Sequence, residues 1–146
     1  MKYGSLIVLL LVAGASILFI SMDTKKPKLK GTTWKCVESM FVADAGNERI
    51  TYTLEFTSDR DVVYKRESYM PPFPSMRMNA DGTVSTEPGW SSESSDKGTY
   101  KFKRKTLTIT FENGSTDIFE WKDGKLVSLR RSISGELREF SLAEGE

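Results

Sequence analysis

Histidine is absent from the 146-residue chain, and cysteine occurs once, at Cys36. These two absences exclude histidine-based catalytic triads, zinc sites built from cysteine and histidine, and an intramolecular disulfide. A large charge of either sign is lacking too, since 21 basic side chains stand against 20 acidic ones. The composition therefore offers no basic surface for a polyanion, and we expect no nucleic-acid partner.

The chain is the length of a single domain, which excludes a multidomain enzyme. It contains no recognisable pair of catalytic carboxylates, no nucleophile with an adjacent base and no glycine-rich phosphate loop. Asp59 and Asp61 flank a turn, but the spacing of a calcium-binding loop is missing, and we interpret both as solvated turn residues. We therefore predict a protein without enzymatic activity, cofactor or metal.

The chain has one long hydrophobic run, at its amino terminus. Residues 3–22 carry no charge, and a helix of this length can cross a bilayer. Lys2 ahead of the run and the small residues Ala13-Gly14-Ala15 are typical of an export signal. We predict that residues 1–22 form one hydrophobic helix, either an uncleaved signal-anchor or a cleaved signal peptide. Both alternatives place the rest of the chain in the cell envelope, tethered to the membrane through this segment in the first case and exported in the second.

Residues 23–30 contain lysines on both sides of Pro27 and are predicted to be a basic linker that keeps the domain off the membrane. By the positive-inside rule these lysines favour a cytoplasmic domain. However, a short N-terminal anchor with a brief basic n-region usually translocates the domain that follows it across the membrane. We favour the periplasmic or extracytoplasmic side.

From residue 31 onward, apolar residues recur at every second position, as in Ile50, Tyr52, Leu54 and Phe56. Turn-forming pairs such as Asn113-Gly114 separate these runs at short intervals. This pattern predicts antiparallel strands with one buried face. The predicted strands are Thr32–Val42, Glu48–Thr57, Asp61–Tyr69, Gly98–Lys103, Thr106–Glu112, Ser115–Lys122, Lys125–Ile133 and Glu136–Leu142, with a further short strand near Thr83–Thr86.

We therefore predict an all-β fold for residues 31–146, an antiparallel up-and-down meander barrel of about eight strands, because closure removes both sheet edges. A β-sandwich is the alternative. The one long connection, residues 70–97, is predicted to be a Met- and Pro-rich loop. It acts as a lid at the barrel mouth, as a plug over it, or as a surface for docking a partner. Its apolar residues are Met70, Phe73, Met76, Met78 and Trp90.

Three segments carry a resemblance: Gly31-Thr32-Thr33-Trp34-Lys35 at the start of the meander, Tyr52–Thr57, and Gly98–Phe102. Together they resemble the small lipocalin-like β-barrel domains of bacterial (Bacteroidetes-type) cell-envelope proteins. The resemblance implies that Trp34 closes one end of the barrel, with Arg138 of the last strand packed over its ring as a cation–π pair. Arg138 and Phe140 also resemble the Arg-x-Tyr that holds a carboxylate in intracellular lipid-binding barrels.

The resemblance implies a non-catalytic binding function. We expect a membrane-tethered or exported lipocalin-like domain that holds a small hydrophobic molecule inside the barrel. The alternative is an envelope scaffold or protein-interaction module that uses the loop of residues 70–97, with a partner protein that the sequence does not identify. The predicted interior site consists of Tyr52, Leu54, Phe56, Tyr100, Phe102, Ile109 and Phe111.

Overall fold

A computed structural model of the protein describes residues 26–132 and 134–143. The predicted hydrophobic helix of residues 1–22 lies outside these residues. Within them, no helix is long and apolar enough to cross a membrane.

The described residues form ten β-strands joined by short turns. At Asp123 and Gly124, between two of these strands, both residues have positive φ (50° and 78°), which matches the twist of a two-residue hairpin turn. The strands are β1 (Thr32–Val42), β2 (Gly46–Phe56), β3 (Asp61–Met70), β4 (Phe73–Met78), β5 (Val84–Glu87), β6 (Trp90–Lys103), β7 (Thr106–Phe111), β8 (Thr116–Lys122), β9 (Lys125–Arg131) and β10 (Leu137–Leu142).

Eight strands close into one antiparallel barrel in the order β1-β10-β9-β8-β7-β6-β3-β2. Apart from β1 and β10, which close the barrel, neighbouring strands follow one another along the chain, with the separate two-stranded sheet of β4 and β5 inserted between β3 and β6. This order confirms the predicted all-β antiparallel barrel and rules out the sandwich.

The prediction that residues 70–97 form a loop is wrong over much of that range. β6 begins at Trp90 and pairs with β3 from Met70↔Trp90 to Asp61↔Thr99, so the barrel wall includes residues that the sequence pattern places in a loop. Ser91–Lys97 lies exposed on both faces of the strand. Because neither face is buried, no apolar alternation marks this part of β6 in the sequence. The remaining connection, residues 71–89, is mostly the β4–β5 hairpin.

The barrel wall is uneven in height. β1, β2, β3 and β6 have 10 to 14 residues, whereas β7 to β10 have 6 or 7. All eight strands meet around the hydrophobic core, which lies at the end where β1 begins. We call this the closed end; at the opposite end, the four long strands continue beyond the short ones.

The barrel closes through a narrow seam. β1 pairs with β2 along its whole length, from Thr32↔Phe56 to Val42↔Gly46. Within the described residues, the register between β1 and β10 consists of Trp34↔Leu142 and Lys35↔Ser141. The register between β9 and β10 shifts between Leu137 and Glu139, next to the seam. The barrel is therefore least continuous between β1 and β10.

Candidate functional site

The residues predicted to line an apolar interior site form the packed core of the barrel. Leu54 and Ile109 are fully buried, Phe56 packs edge-on against Tyr100 with 4.9 Å between ring centroids, and Phe102 packs at the edge of the cluster. Side chains that fill the core leave an interior ligand little room unless they move. The core cluster consists of Leu29, Trp34, Cys36, Ile50, Tyr52, Leu54, Phe56, Val62, Tyr100, Leu107, Ile109, Phe111, Phe119, Leu126 and Phe140.

Trp34, which the resemblance assigns to closing one end of the barrel, lies buried near the closed end. Its ring packs edge-on against Trp121, with 5.7 Å between the ring centroids. Its indole N–H donates a hydrogen bond to the Thr32 hydroxyl at 2.9 Å, which satisfies the polar end of this buried side chain.

The predicted partner of Arg138 is wrong. The guanidinium carbon lies 4.1 Å from the centroid of the Tyr52 ring, so the cation–π contact that we expected with Trp34 is made with Tyr52. Trp34 of β1 pairs with Leu54 of β2, and Cys36 of β1 pairs with Tyr52 of β2. Trp34 and Tyr52 are therefore two positions apart in the ladder, and both face inward. Arg138 therefore belongs to a layer above Trp34, farther from the closed end.

A polar cluster surrounds Arg138 on the inward face of the barrel. Its Nη2 donates to the Tyr52 hydroxyl at 2.9 Å and its Nε to Oε1 of Glu38 at 3.2 Å. The side chains of Arg138 and Glu38 are 13% and 19% exposed, so water screens this ion pair only partly. Tyr64 stacks on Tyr52, with ring centroids 6.2 Å apart.

A second ion pair lies near the Tyr64 ring, between the exposed Arg130 and the largely buried Asp117 at 2.9 Å. Burial raises the pKa of the Tyr64 phenol well above its ordinary value, while the positive charge of Arg138 opposes that rise. The phenol is therefore neutral at physiological pH. One arginine, two carboxylates and two phenols thus lie next to the apolar core.

A groove of about 1030 Å³ follows the seam between β1 and β10. Cys36 and Glu38 of β1 line one side, and Leu137 and Arg138 of β10 line the other. The turns after β8 and β9 bound it. Through this groove the outer surface reaches the Arg138–Glu38 pair.

Cys36 lies at the seam and is buried. Burial, together with the nearby negative charge of Glu38, raises the pKa of its thiol, and a backbone hydrogen bond from Glu139 opposes the rise. A thiol with a raised pKa and little exposure is a poor nucleophile. This agrees with an interpretation of Cys36 as a structural side chain.

The β4–β5 hairpin has a turn with an extensive hydrogen-bond network. The Asn79 backbone N–H donates to the Thr83 carbonyl at 2.8 Å, and the Asp81 carboxylate accepts from both the backbone N–H (3.0 Å) and the hydroxyl (2.6 Å) of Thr83. These two bonds to the carboxylate hold the pKa of Asp81 below its ordinary value. Gly82 supplies the positive φ of the turn. The hairpin is thus a defined structural element.

The residues predicted for the docking loop divide into two groups. Met70 is fully buried, and Phe73 packs edge-on against Trp90 at 6.0 Å between ring centroids, so these residues form the base of the hairpin. Met76 and Met78 are 74% and 71% exposed.

Among the described residues, no group of acidic or cysteine side chains is arranged to hold a metal ion. No protein-family model matches the chain, and no curated protein or solved structure matches it either.

Sequence reasoning missed Glu38, Tyr64 and Asp117 as residues beside the core. A usable signal existed for Glu38, which follows Trp34 and Cys36 at a spacing of two and therefore shares their inward face. Tyr64 stands in the same relation to Val62 on β3. The sequence shows no partner near these polar residues, because their partners in the barrel belong to strands that are distant along the chain.

Proposed function

We propose that this chain is a non-catalytic protein-interaction module of the cell envelope that binds a partner protein through the β4–β5 hairpin. The closed barrel is compatible with a lipocalin-like binding domain. A small apolar ligand in its core would have to displace packed side chains, whereas the apolar side chains of the hairpin are already exposed. The proposal retains the expected location, with residues 1–22 tethering or exporting the domain to the extracytoplasmic side.

The observation that carries this proposal is the exposure of large apolar side chains on an ordered hairpin. Met78 and Val84 are cross-strand partners and therefore lie on one face, and Val84 is 52% exposed. Exposed apolar clusters of this kind are typical of interaction sites, and methionine adapts its shape to a partner.

Preorganisation further supports the proposal. Pro71, Pro72 and Pro74 restrict the chain at the base of the hairpin, and the Asp81–Thr83 bonds order its turn. Ordering the binding element before association reduces the entropy lost on binding. The partner that fits is a protein with a complementary apolar surface, since Met76, Met78 and Val84 offer area and shape rather than charge.

Site-specific photo-crosslinking in the native host tests this proposal. With a photoreactive residue at Met76 of the full chain, we expect a discrete adduct with one protein. The same residue at Lys101, exposed on the barrel wall, is the matched control and should not give that adduct. Met78→Glu, combined with the probe at Met76, should reduce the adduct without unfolding the barrel. Identical adducts from Met76 and Lys101 would refute the proposal.

A further inference from the structure

In the described part of the chain, the seam leaves part of one side of β1 without a partner strand. Among the described residues, β10 pairs with β1 at Trp34 and Lys35, whereas β2 pairs with it as far as Val42. Within the described residues, Val37 to Val42 therefore form a strand edge without backbone pairing on the side of β10, and the groove of about 1030 Å³ runs beside its first half. Free edges of this kind are templates for a further strand.

The direction of the peptide groups is determined by the register. The Ala143 N–H donates to the Thr33 carbonyl at 2.8 Å, so Thr33 directs its peptide group toward β10. Because this direction alternates along a strand, the other odd-numbered residues of β1 do the same. Val37, Ser39 and Phe41 therefore direct their N–H and C=O groups into the open seam. Donors and acceptors that repeat every two residues match the backbone of an extended chain.

The side chains beside this edge define the chemistry of a segment that would bind there. On the outer face, Val37 and Phe41 are 54% and 74% exposed. On the inner face, Oε1 of Glu38 accepts from Arg138, and Oε2 has no hydrogen-bond partner among the described residues. An added strand would place alternate side chains beside Val37 and Phe41, and the side chain between them next to the free carboxylate oxygen of Glu38.

We propose that the edge of β1 from Val37 to Phe41 binds an extended segment of another protein as an added β-strand. The segment carries apolar residues at alternate positions, and between them a lysine or another hydrogen-bond donor that faces Glu38. β10 and the turns after β8 and β9 wall the far side of the groove. The space beside β1 therefore suits a single strand rather than the edge of a second barrel.

Selection from a random peptide library displayed on phage tests this proposal, with the full chain in detergent micelles as the target. We expect the enriched peptides to alternate apolar residues and to carry a donor residue between them. Val37→Pro removes the N–H that faces the seam while leaving the bonds to β2, and it should weaken binding of these peptides about tenfold. Val37→Thr keeps that N–H and loses only part of the apolar contact, so it should weaken binding clearly less than Val37→Pro does.

A second variant covers the case in which proline disturbs the fold. Phe41→Thr, combined with Val37→Thr, keeps the whole backbone and removes both apolar neighbours, and we expect about a tenfold loss. Deleting the β4–β5 hairpin should leave peptide binding unchanged, because that hairpin projects from β3 and β6. Failure to enrich any peptide, or equal binding by Val37→Pro in its folded form, overturns the proposal. So does a peptide-independent dimer that Val37→Pro dissociates, since a second copy would then occupy the edge.

Discussion

The guanidinium of Arg138 links β10 to residues of two other strands, β1 and β2. It packs over the ring of Tyr52, donates to that residue's hydroxyl and pairs with Glu38 of β1. The position is close to the seam, where β1 and β10 share few backbone hydrogen bonds. Side-chain contacts here supplement the incomplete ladder between the first and last strands.

We expect Arg138→Met to lower the free energy of unfolding by about 2 kcal/mol, because it leaves the Glu38 carboxylate without its cation in a partly buried site. The double variant Arg138→Met with Glu38→Gln should recover about 1 kcal/mol, since it removes the unpaired charge. Lys125→Met is the control: its pair with Glu139 is exposed, and the free energy of unfolding should fall much less than in Arg138→Met. Urea titration followed by tryptophan fluorescence measures all three, and equal losses at the two sites would contradict the prediction.

Tyr64 should make the barrel sensitive to alkaline pH. Burial raises the pKa of its phenol in the folded state, so the unfolded chain releases this proton first as the pH rises. The stability associated with the neutral phenol is complete below about pH 10 and declines above it. We expect Tyr64→Phe to lose less stability than the original chain between about pH 9 and pH 11.

The measurement is a series of urea titrations across that pH range. Tyr69→Phe, which removes the hydroxyl of an exposed tyrosine, is the matched control and should retain the original steep decline. A Tyr64→Phe profile that parallels the original chain would show that the buried phenol does not govern the alkaline loss.

At the scale of the secondary-structure elements, the hairpin depends on a close backbone contact at its base. A Cβ atom at Gly89 would lie 1.9 Å from the Met70 carbonyl oxygen and 2.7 Å from the Pro71 carbonyl carbon. Both neighbours are backbone atoms, which cannot rotate away as a side chain can. Glycine at this position lets the connection from β5 pass next to the end of β3.

Gly89→Val should therefore displace the hairpin while leaving the barrel folded. We expect loss of the edge-on contact between Phe73 and Trp90, visible as changed ring-current shifts in the NMR spectrum, and loss of the Met76 crosslink. Ser91→Val, on the exposed part of β6, is the control and should keep both. Retention of the Phe73–Trp90 contact in Gly89→Val would mean that the backbone adjusts around the added side chain.

The strands that could be predicted from the sequence are those with one buried face. β2 and β7 show clear apolar alternation, and their predicted bounds lie within two residues of those observed. The first half of β6 has no buried face, and only its partner β3 defines it as a strand. Likewise, the sequence identifies Arg138 as an interior arginine, but it does not identify Tyr52 as its partner. The partner is determined by which side chains of different strands lie at the same height in the barrel. This height depends on the register between neighbouring strands, which a single sequence does not reveal.

At the scale of the whole molecule, the two ends of the barrel differ in chemistry. The closed end holds Trp34 and the aromatic core, and Lys26 approaches the ring of Phe102 there, 5.5 Å from its centroid. The β4–β5 hairpin leaves the barrel from the opposite end, after Met70. β3 connects the two ends over ten residues, a height of about 25 Å for a tilted strand.

This arrangement predicts how the domain stands on a membrane. If residues 1–22 anchor the chain, the closed end faces the bilayer and the hairpin faces away, where an apolar surface can meet a partner protein without competition from lipid. A fluorophore attached through Lys101→Cys should then be quenched more strongly by quencher lipids in the bilayer than one attached through Asn79→Cys in the hairpin turn. Buried Cys36 should react little with the label. Vesicles without quencher are the control. Stronger quenching at Asn79 would place the hairpin in the membrane and would make lipid, rather than a protein, its binding partner.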